Sequence, residues 1–144
     1  MRHSHTKIWV HLIWATKNRE RLLFREEGKF LYNFFIKKAL EIKVPFERLN
    51  VQPEHIHGLI DLPANFCVSD FMKSMKGSSS KYLNDEKIIK QHFAWQRGYG
   101  AYSVSGSKID IVKKYIENQD KHHKRKSFTE EYEDWKKEYG ILDD

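Results

Sequence analysis

Two histidines one residue apart, His55 and His57, are the first residues in this sequence whose type and spacing suggest chemistry. They lie in the run Pro53-Glu54-His55-Ile56-His57-Gly58-Leu59-Ile60-Asp61-Leu62-Pro63, which reads as a strand with proline at either end. Residues i and i+2 of a strand share a face, so the two imidazoles stand side by side while Ile56 points the other way, into a core. Two neutral imidazoles on one face can be half of a metal site. They can equally be a solvated surface pair, and the motif alone does not choose.

The choice is informed by a second set of residues much later in the chain. A helix expected from Ser107 to about Lys124 carries Ile109, Val112 and Ile116 as a core stripe. About a quarter-turn round lie Ile111, Tyr115, Gln119 and His122, with Tyr115 and Gln119 one turn apart on one face. Alone, these read as a partly buried tyrosine above a surface glutamine. Together with the histidines they supply what DNA strand transfer requires. A tyrosine hydroxyl can attack phosphorus and hold the strand as a phosphodiester, so that rejoining needs no ATP. The charge that develops on the phosphate oxygens can be neutralised by a divalent cation held by two imidazoles and the Gln119 amide oxygen. Mg²⁺ is the usual ion for phosphate chemistry, while histidine ligands favour Mn²⁺ in affinity.

The elements that must position these residues follow from periodicity. Thr6 to Thr16 reads as a first strand, apolar on both parities and therefore central, with His11 on the Trp9/Ile13 side as a hydrogen-bonded core histidine within reach of a site on the sheet. A helix from Arg25 to Lys43 turns Leu31, Phe35, Ala39 and Ile42 inward, widened by Phe30 and Phe34, all read as core, and stops at Val44-Pro45. Phe46 to Gln52 is a second strand, paired through Pro53-Glu54 with the histidine strand. Val68 to about Leu83 is a second helix with Val68, Phe71, Met72, Met75, Ser79 and Tyr82 on its apolar side and Ser69 and Asp70 at its N-cap and first turn. Phe93 to Ser105 reads as the last strand, bulged at its glycines, and Ser107-Lys108-Ile109-Asp110 resembles a capping box opening the tyrosine helix. A short helix over 127–140, capped through Ser127 and Glu130, ends the chain and presents Phe128, Tyr132, Trp135 and Tyr139 to its own core or to a partner subunit. The order β-α-β-β-α-β with C-terminal helices is the ferredoxin-like α+β arrangement, in one domain spanning 1–144.

Charge points to a polyanion. Lys and Arg number 26 against 20 acidic residues, a net charge of +6. Lys17 and Arg19 fall in a basic loop, Lys73, Lys76 and Ser78 on the polar face of the second helix, Arg97 in the last strand, and Lys121 and Lys124 in the basic end of the tyrosine helix. Each reads as a solvated position or as a contact to phosphate, and together they are the candidate DNA contacts. The single cysteine, Cys67, excludes an intramolecular disulfide and reads as a buried or inert thiol. No signal-peptide pattern or long apolar run is evident, so a soluble intracellular protein is expected.

The chain resembles the single-tyrosine HUH transposases, the small TnpA-type enzymes of the insertion-sequence 200/605 group. The resemblance rests on His11-Leu12-Ile13-Trp14-Ala15-Thr16-Lys17-Asn18-Arg19, Glu54-His55-Ile56-His57, Phe71-Met72-Lys73-Ser74-Met75-Lys76-Gly77, Trp95-Gln96-Arg97-Gly98-Tyr99-Gly100 and Tyr115-Ile116-Glu117-Asn118-Gln119. It implies His55, His57 and Gln119 as ligands of Mg²⁺ or Mn²⁺ and Tyr115 as the nucleophile. It further implies cleavage of single-stranded DNA beside subterminal hairpins with a 5′-phosphotyrosine intermediate, in a prokaryotic, nucleoid-associated cytoplasmic setting. An obligate homodimer is implied too, in which the tyrosine helix often completes the partner's site. The alternative is a non-catalytic regulator that binds hairpin DNA or RNA on the same fold. An origin nickase would need further domains. Paired His-x-Ser/Thr phosphoesterases and histidine-triad hydrolases fail on spacing, because Gly58 and Leu59 follow His57.

Overall fold

Strand alternation divides the molecule into two layers of unequal depth. In the computed structural model, which describes residues 4–119 together with Glu130 and Glu133, β1 is Trp9–Ala15, α1 Arg25–Glu41, β2 Phe46–Val51, β3 His55–Asp61, α2 Val68–Asp85, β4 Gly100–Val104 and α3 Ile109–Glu117. The four strands form one antiparallel sheet in the order β2-β3-β1-β4, the ferredoxin-like α+β arrangement expected. Val10, Leu12 and Trp14 of β1 and Ile56 and Ile60 of β3 face α1 and α2, where they bury with Leu31, Phe35, Phe71, Met72 and Met75 in the main core. The opposite parity carries Trp9, His11, Ile13, His55, His57 and Leu59. Part of that face is covered by α3, through a small cluster of Leu59, Val104 and Ile116 with Ile109, Val112 and Tyr115 packed on it. Ion pairs from Arg48 to Glu117 and from the half-buried Lys113 to Glu47 add a link from α3 to β2.

Prolines and tight connections set the strand ends. Pro53-Glu54 joins β2 to β3 across a turn in which the Gln52 N–H donates to the His55 carbonyl at 2.8 Å. Gly58, mid-strand in β3, faces the ring of Phe46, and a Cβ there would lie 2.6 Å from the nearest ring carbon. Only glycine lets that ring lie against the strand.

Several local expectations differ from the structure. The last strand is shorter than 93–105, because residues 93–99 are held by other means. Phe93 and Trp95 are buried in the main core, and Trp95 forms only a single bridge with Thr16. Gly98 then adopts φ +85°, a left-handed turn that a continuous strand cannot contain. The capping box at Ser107 does not form: residues 106–108 make a 3₁₀ turn and α3 begins at Ile109. Cys67, not Ser69, is the N-cap of α2, and the thiol is exposed with its Sγ 3.3 Å from Ser69 Oγ, so of the buried or inert thiol expected, burial does not hold. Phe30 is also not core; it is 42% exposed and stacks on Tyr82. Apart from Glu130 and Glu133, the helix expected over 127–140 lies outside the described residues, as does the end of the tyrosine helix with Lys121 and Lys124.

Candidate functional site

His55 and His57 are fully buried on the α3 face of the sheet, and their Nε2 atoms lie 3.0 Å apart. That separation is what two nitrogens about 2.1 Å from a common ion, at roughly a right angle to each other, would have. Each ring is held at its other nitrogen. His55 Nδ1 is 2.8 Å from Glu54 Oε1, and because an ionised carboxylate only accepts, the imidazole donates there and in its neutral form carries no proton on Nε2. His57 Nδ1 is 3.1 Å from Nε2 of His11. Burial pushes the pKa of His11 down to about 3, so this third imidazole is neutral.

The tyrosine lies over this group. Tyr115 is half-buried, with its ring centroid 5.7 Å from that of His57 and 6.2 Å from that of His11, edge-on to both. Asn118 caps α3, its N–H donating to the Lys114 carbonyl, and Gln119 follows immediately, fully buried. Its Nε2 donates to the Tyr115 carbonyl at 3.2 Å, which verifies the one-turn spacing. Its Oε1 is buried without a hydrogen-bond partner among the described residues, a state that ordinarily carries a penalty and leaves the oxygen available to a cation. Among the described residues no three His, Cys, Asp or Glu side chains converge as a metal centre. The donor set on offer is thus two imidazoles and an amide oxygen, and these residues fit a divalent cation.

A basic rim adjoins the histidine end of the sheet. Ala15, the last residue of β1, pairs with His55, and the chain then enters a 3₁₀ turn over Lys17–Arg19 in which Asn18 and Arg19 take φ 57° and 54°. The turn is bound to residues 94–98: the Lys17 N–H donates to the Ala94 carbonyl, the Gln96 N–H to the Ala15 carbonyl, and the Asn18 N–H to Gln96 Oε1 at 2.8 Å. From α2, the Lys76 ammonium donates to the carbonyls of Gln96 and Gly98 at 2.9 and 2.8 Å. The structure thereby brings Lys17, Arg19, Lys76 and Arg97 together. Lys17, Arg19, Arg97 and Lys73 are exposed; Lys76 is half-buried, and its burial lowers its pKa. Ser78 directs its hydroxyl to the Ser74 carbonyl of its own helix and so is bound within α2.

Sequence reasoning passed over Glu54 and Arg21. Glu54 reads as a turn residue, yet it is buried and joined to Arg21, whose Nε lies 3.5 Å from its second carboxylate oxygen. The signal was a carboxylate directly before the histidine strand, and what places Arg21 there is the pairing of the Leu22 and Leu23 N–H groups with the Pro53 carbonyl.

The family model described as IS200-like transposase matches residues 4–119. The chain is 27% identical over 114 residues to the ISDra2 transposase TnpA of Deinococcus radiodurans, covering 76% of this chain and 81% of that protein. It is 27% identical over 123 residues to the transposase for insertion sequence element IS200 of Salmonella typhimurium, covering 81% and 80%. Among solved structures, a candidate transposase of Deinococcus radiodurans superposes with a TM-score of 0.68 at 29% identity, covering 83% of this chain and 95% of that one. A REP-associated tyrosine transposase bound to a REP hairpin gives 0.64 at 18% identity, covering 85% and 72%, and shares the fold. The class is therefore that of the transposases, DNA-binding proteins of transposition and recombination. Within it, the chain belongs to the IS200-like family of TnpA-type, single-tyrosine transposases. No helix among the described residues is long and apolar enough to cross a membrane.

Proposed function

We propose that this protein cuts and rejoins single-stranded DNA at hairpin-marked element ends through a 5′-phosphotyrosine on Tyr115. The observation that carries the reading is the pair of His55 and His57 Nε2 atoms 3.0 Å apart, with the Tyr115 ring 5.7 Å from His57 on the same side of the sheet. His55, His57 and Gln119 Oε1 would hold Mg²⁺ or Mn²⁺, which when bound supplies a positive charge for the phosphate oxygens. Tyr115 oxygen forms a bond to phosphorus as the bond from phosphorus to the 3′-oxygen breaks, the phenolic proton is given up, and the departing strand takes a proton to leave as a 3′-hydroxyl. Reversal with a different 3′-hydroxyl rejoins the strand without loss of bond energy. Lys17, Arg19, Lys73 and Arg97 supply exposed charge for the DNA backbone, joined by Lys121 and Lys124 of the basic run. The hairpin takes its support from the solved relative bound to a REP hairpin. The assembly we propose is a homodimer, as in the resembled family, acting in the cytoplasm of a prokaryote.

The test uses labelled single-stranded DNA with an imperfect hairpin taken from the gene's own flanks, incubated with Mg²⁺ or Mn²⁺ and run on a denaturing gel. A protein–DNA adduct that is lost with chelator and in Tyr115→Phe is expected. An adduct that persists in Tyr115→Phe would reassign the nucleophile. Hairpin binding without an adduct at any flanking hairpin would make the protein a binding regulator instead.

A further inference from the structure

We propose that His11 is a positioning residue for the cation site, holding His57 at Nδ1 as Glu54 holds His55. This rests on reading His55 and His57 as cation ligands. The geometry is specific. In the β1–β3 pairing His11 faces Leu59 and Ile13 faces His57, so His11 reaches His57 on the diagonal, on the same face of the sheet. The contact is nitrogen to nitrogen at 3.1 Å, with the rings inclined at 35° and their centroids 5.3 Å apart. Both residues are buried, His11 1% exposed and His57 not at all, so water does not compete for the contact.

The need for such a partner follows from the four-group chain Glu54–His55–His57–His11. The carboxylate makes His55 Nδ1 the donor, and His55 Nε2 is then an acceptor. With no cation between them, His57 must place its own proton on Nε2 to meet His55 at 3.0 Å. A ligand nitrogen carries no proton, so His57 can bind a cation only in its other tautomer, with the proton on Nδ1 and an acceptor facing it. His11 Nε2 is the nitrogen facing Nδ1. An apolar residue at position 11 would remove the acceptor that faces the required Nδ1–H and so favour the tautomer that blocks the ion. The two proposed ligands are thus supported unequally, His55 by a carboxylate that fixes its tautomer and His57 by a neutral imidazole that accommodates either one.

Mn²⁺ binding by the full chain, followed by electron paramagnetic resonance of the free ion, tests this without reference to DNA cleavage. His11→Phe keeps the ring volume and removes both nitrogens; His11→Gln restores a polar atom near the place of Nε2. His11→Phe is expected to weaken Mn²⁺ binding about 10- to 100-fold, with His11→Gln falling between it and the unsubstituted protein. His57→Ala is the control for the ligand reading. If His57→Ala binds Mn²⁺ as well as the unsubstituted protein, or neither binds it, the ligand reading fails and this inference with it. Loss in His57→Ala with unchanged affinity in His11→Phe overturns the inference alone. Equal loss in His11→Phe and His11→Gln, with both melting normally, also overturns it, because a polar atom restored near the place of Nε2 would then give no support to His57.

Discussion

Replacing Gly58 by alanine tests how tightly the sheet next to His57 is packed. The added Cβ would sit 2.6, 3.0 and 3.7 Å from three carbons of the Phe46 ring, against an ordinary carbon–carbon contact of about 3.5–4.0 Å. The ring must therefore retreat by about 1 Å. Its retreat is hindered by Phe71, fully buried and edge-on to Phe46 at 5.4 Å between centroids. Overpacking of this kind destabilises by about 1–3 kcal/mol. Against it stands the smaller backbone entropy of alanine in the unfolded chain, about 0.5–1 kcal/mol, which applies because Gly58 is not in a left-handed conformation. The net expectation is a loss of about 1–2 kcal/mol, or roughly 2–8 °C in melting temperature. Urea denaturation of Gly58→Ala, Phe46→Leu and the double variant measures it. Phe46→Leu removes the ring carbons that clash, so the double variant should be less destabilised than the sum of the singles by about 1 kcal/mol. Additivity within error, or an unchanged midpoint for Gly58→Ala, would refute the claim that the ring requires glycine there.

Three further outcomes follow from the site and its basic rim. His11 has a folded-state pKa depressed to about 3 from a reference of 6.5, so its contribution to stability is complete above about pH 6.5 and is lost as pH falls towards 3. It is faced there by His57 and Tyr115, with Tyr102 opposite it on β4. Melting temperatures of chelator-treated protein should therefore fall more steeply across that window than those of His11→Gln; parallel curves would contradict it. On the basic rim, Lys76→Ala should reduce stability by about 1 kcal/mol by releasing the carbonyls of Gln96 and Gly98. Arg97→Ala, at an exposed position, should leave stability unchanged and lower the salt dependence of single-stranded DNA binding by about one phosphate contact. Salt titrations with unchanged slope would remove Arg97 from the interface.

The elements were legible where a single periodicity ran between clear stops. Pro45, Pro53 and Pro63 bound the strands, and the same-face placement of His55 and His57 follows from the two-residue period of a strand. The spacing of Tyr115 and Gln119 followed equally from the helix. What was not legible came from tertiary contacts. Residues 93–99 are rich in aromatic residues as a strand would be, yet Phe93 is held at its backbone N–H and carbonyl by the side-chain amide of Asn84, and Trp95 donates to Ser79 Oγ at 2.9 Å. Nothing local announces these partners. The same holds for the site: sequence gives His11 a face but not a partner, and the diagonal contact to His57 exists only once β1 and β3 are in register. Cys67 caps α2 by its position alone, against the usual preference for Ser, Thr, Asp or Asn.

The β1–β3 register also makes the protein its own quality control. Because core and site residues alternate along the same two strands, a slip of one residue would turn His11 towards α1 and α2 and send Trp14 to the histidine face. Such a chain would lose its core together with its site. A stably folded but misassembled population is therefore disfavoured, and under the proposed reading the number of molecules that capture Mn²⁺ would double as a count of correctly folded chains.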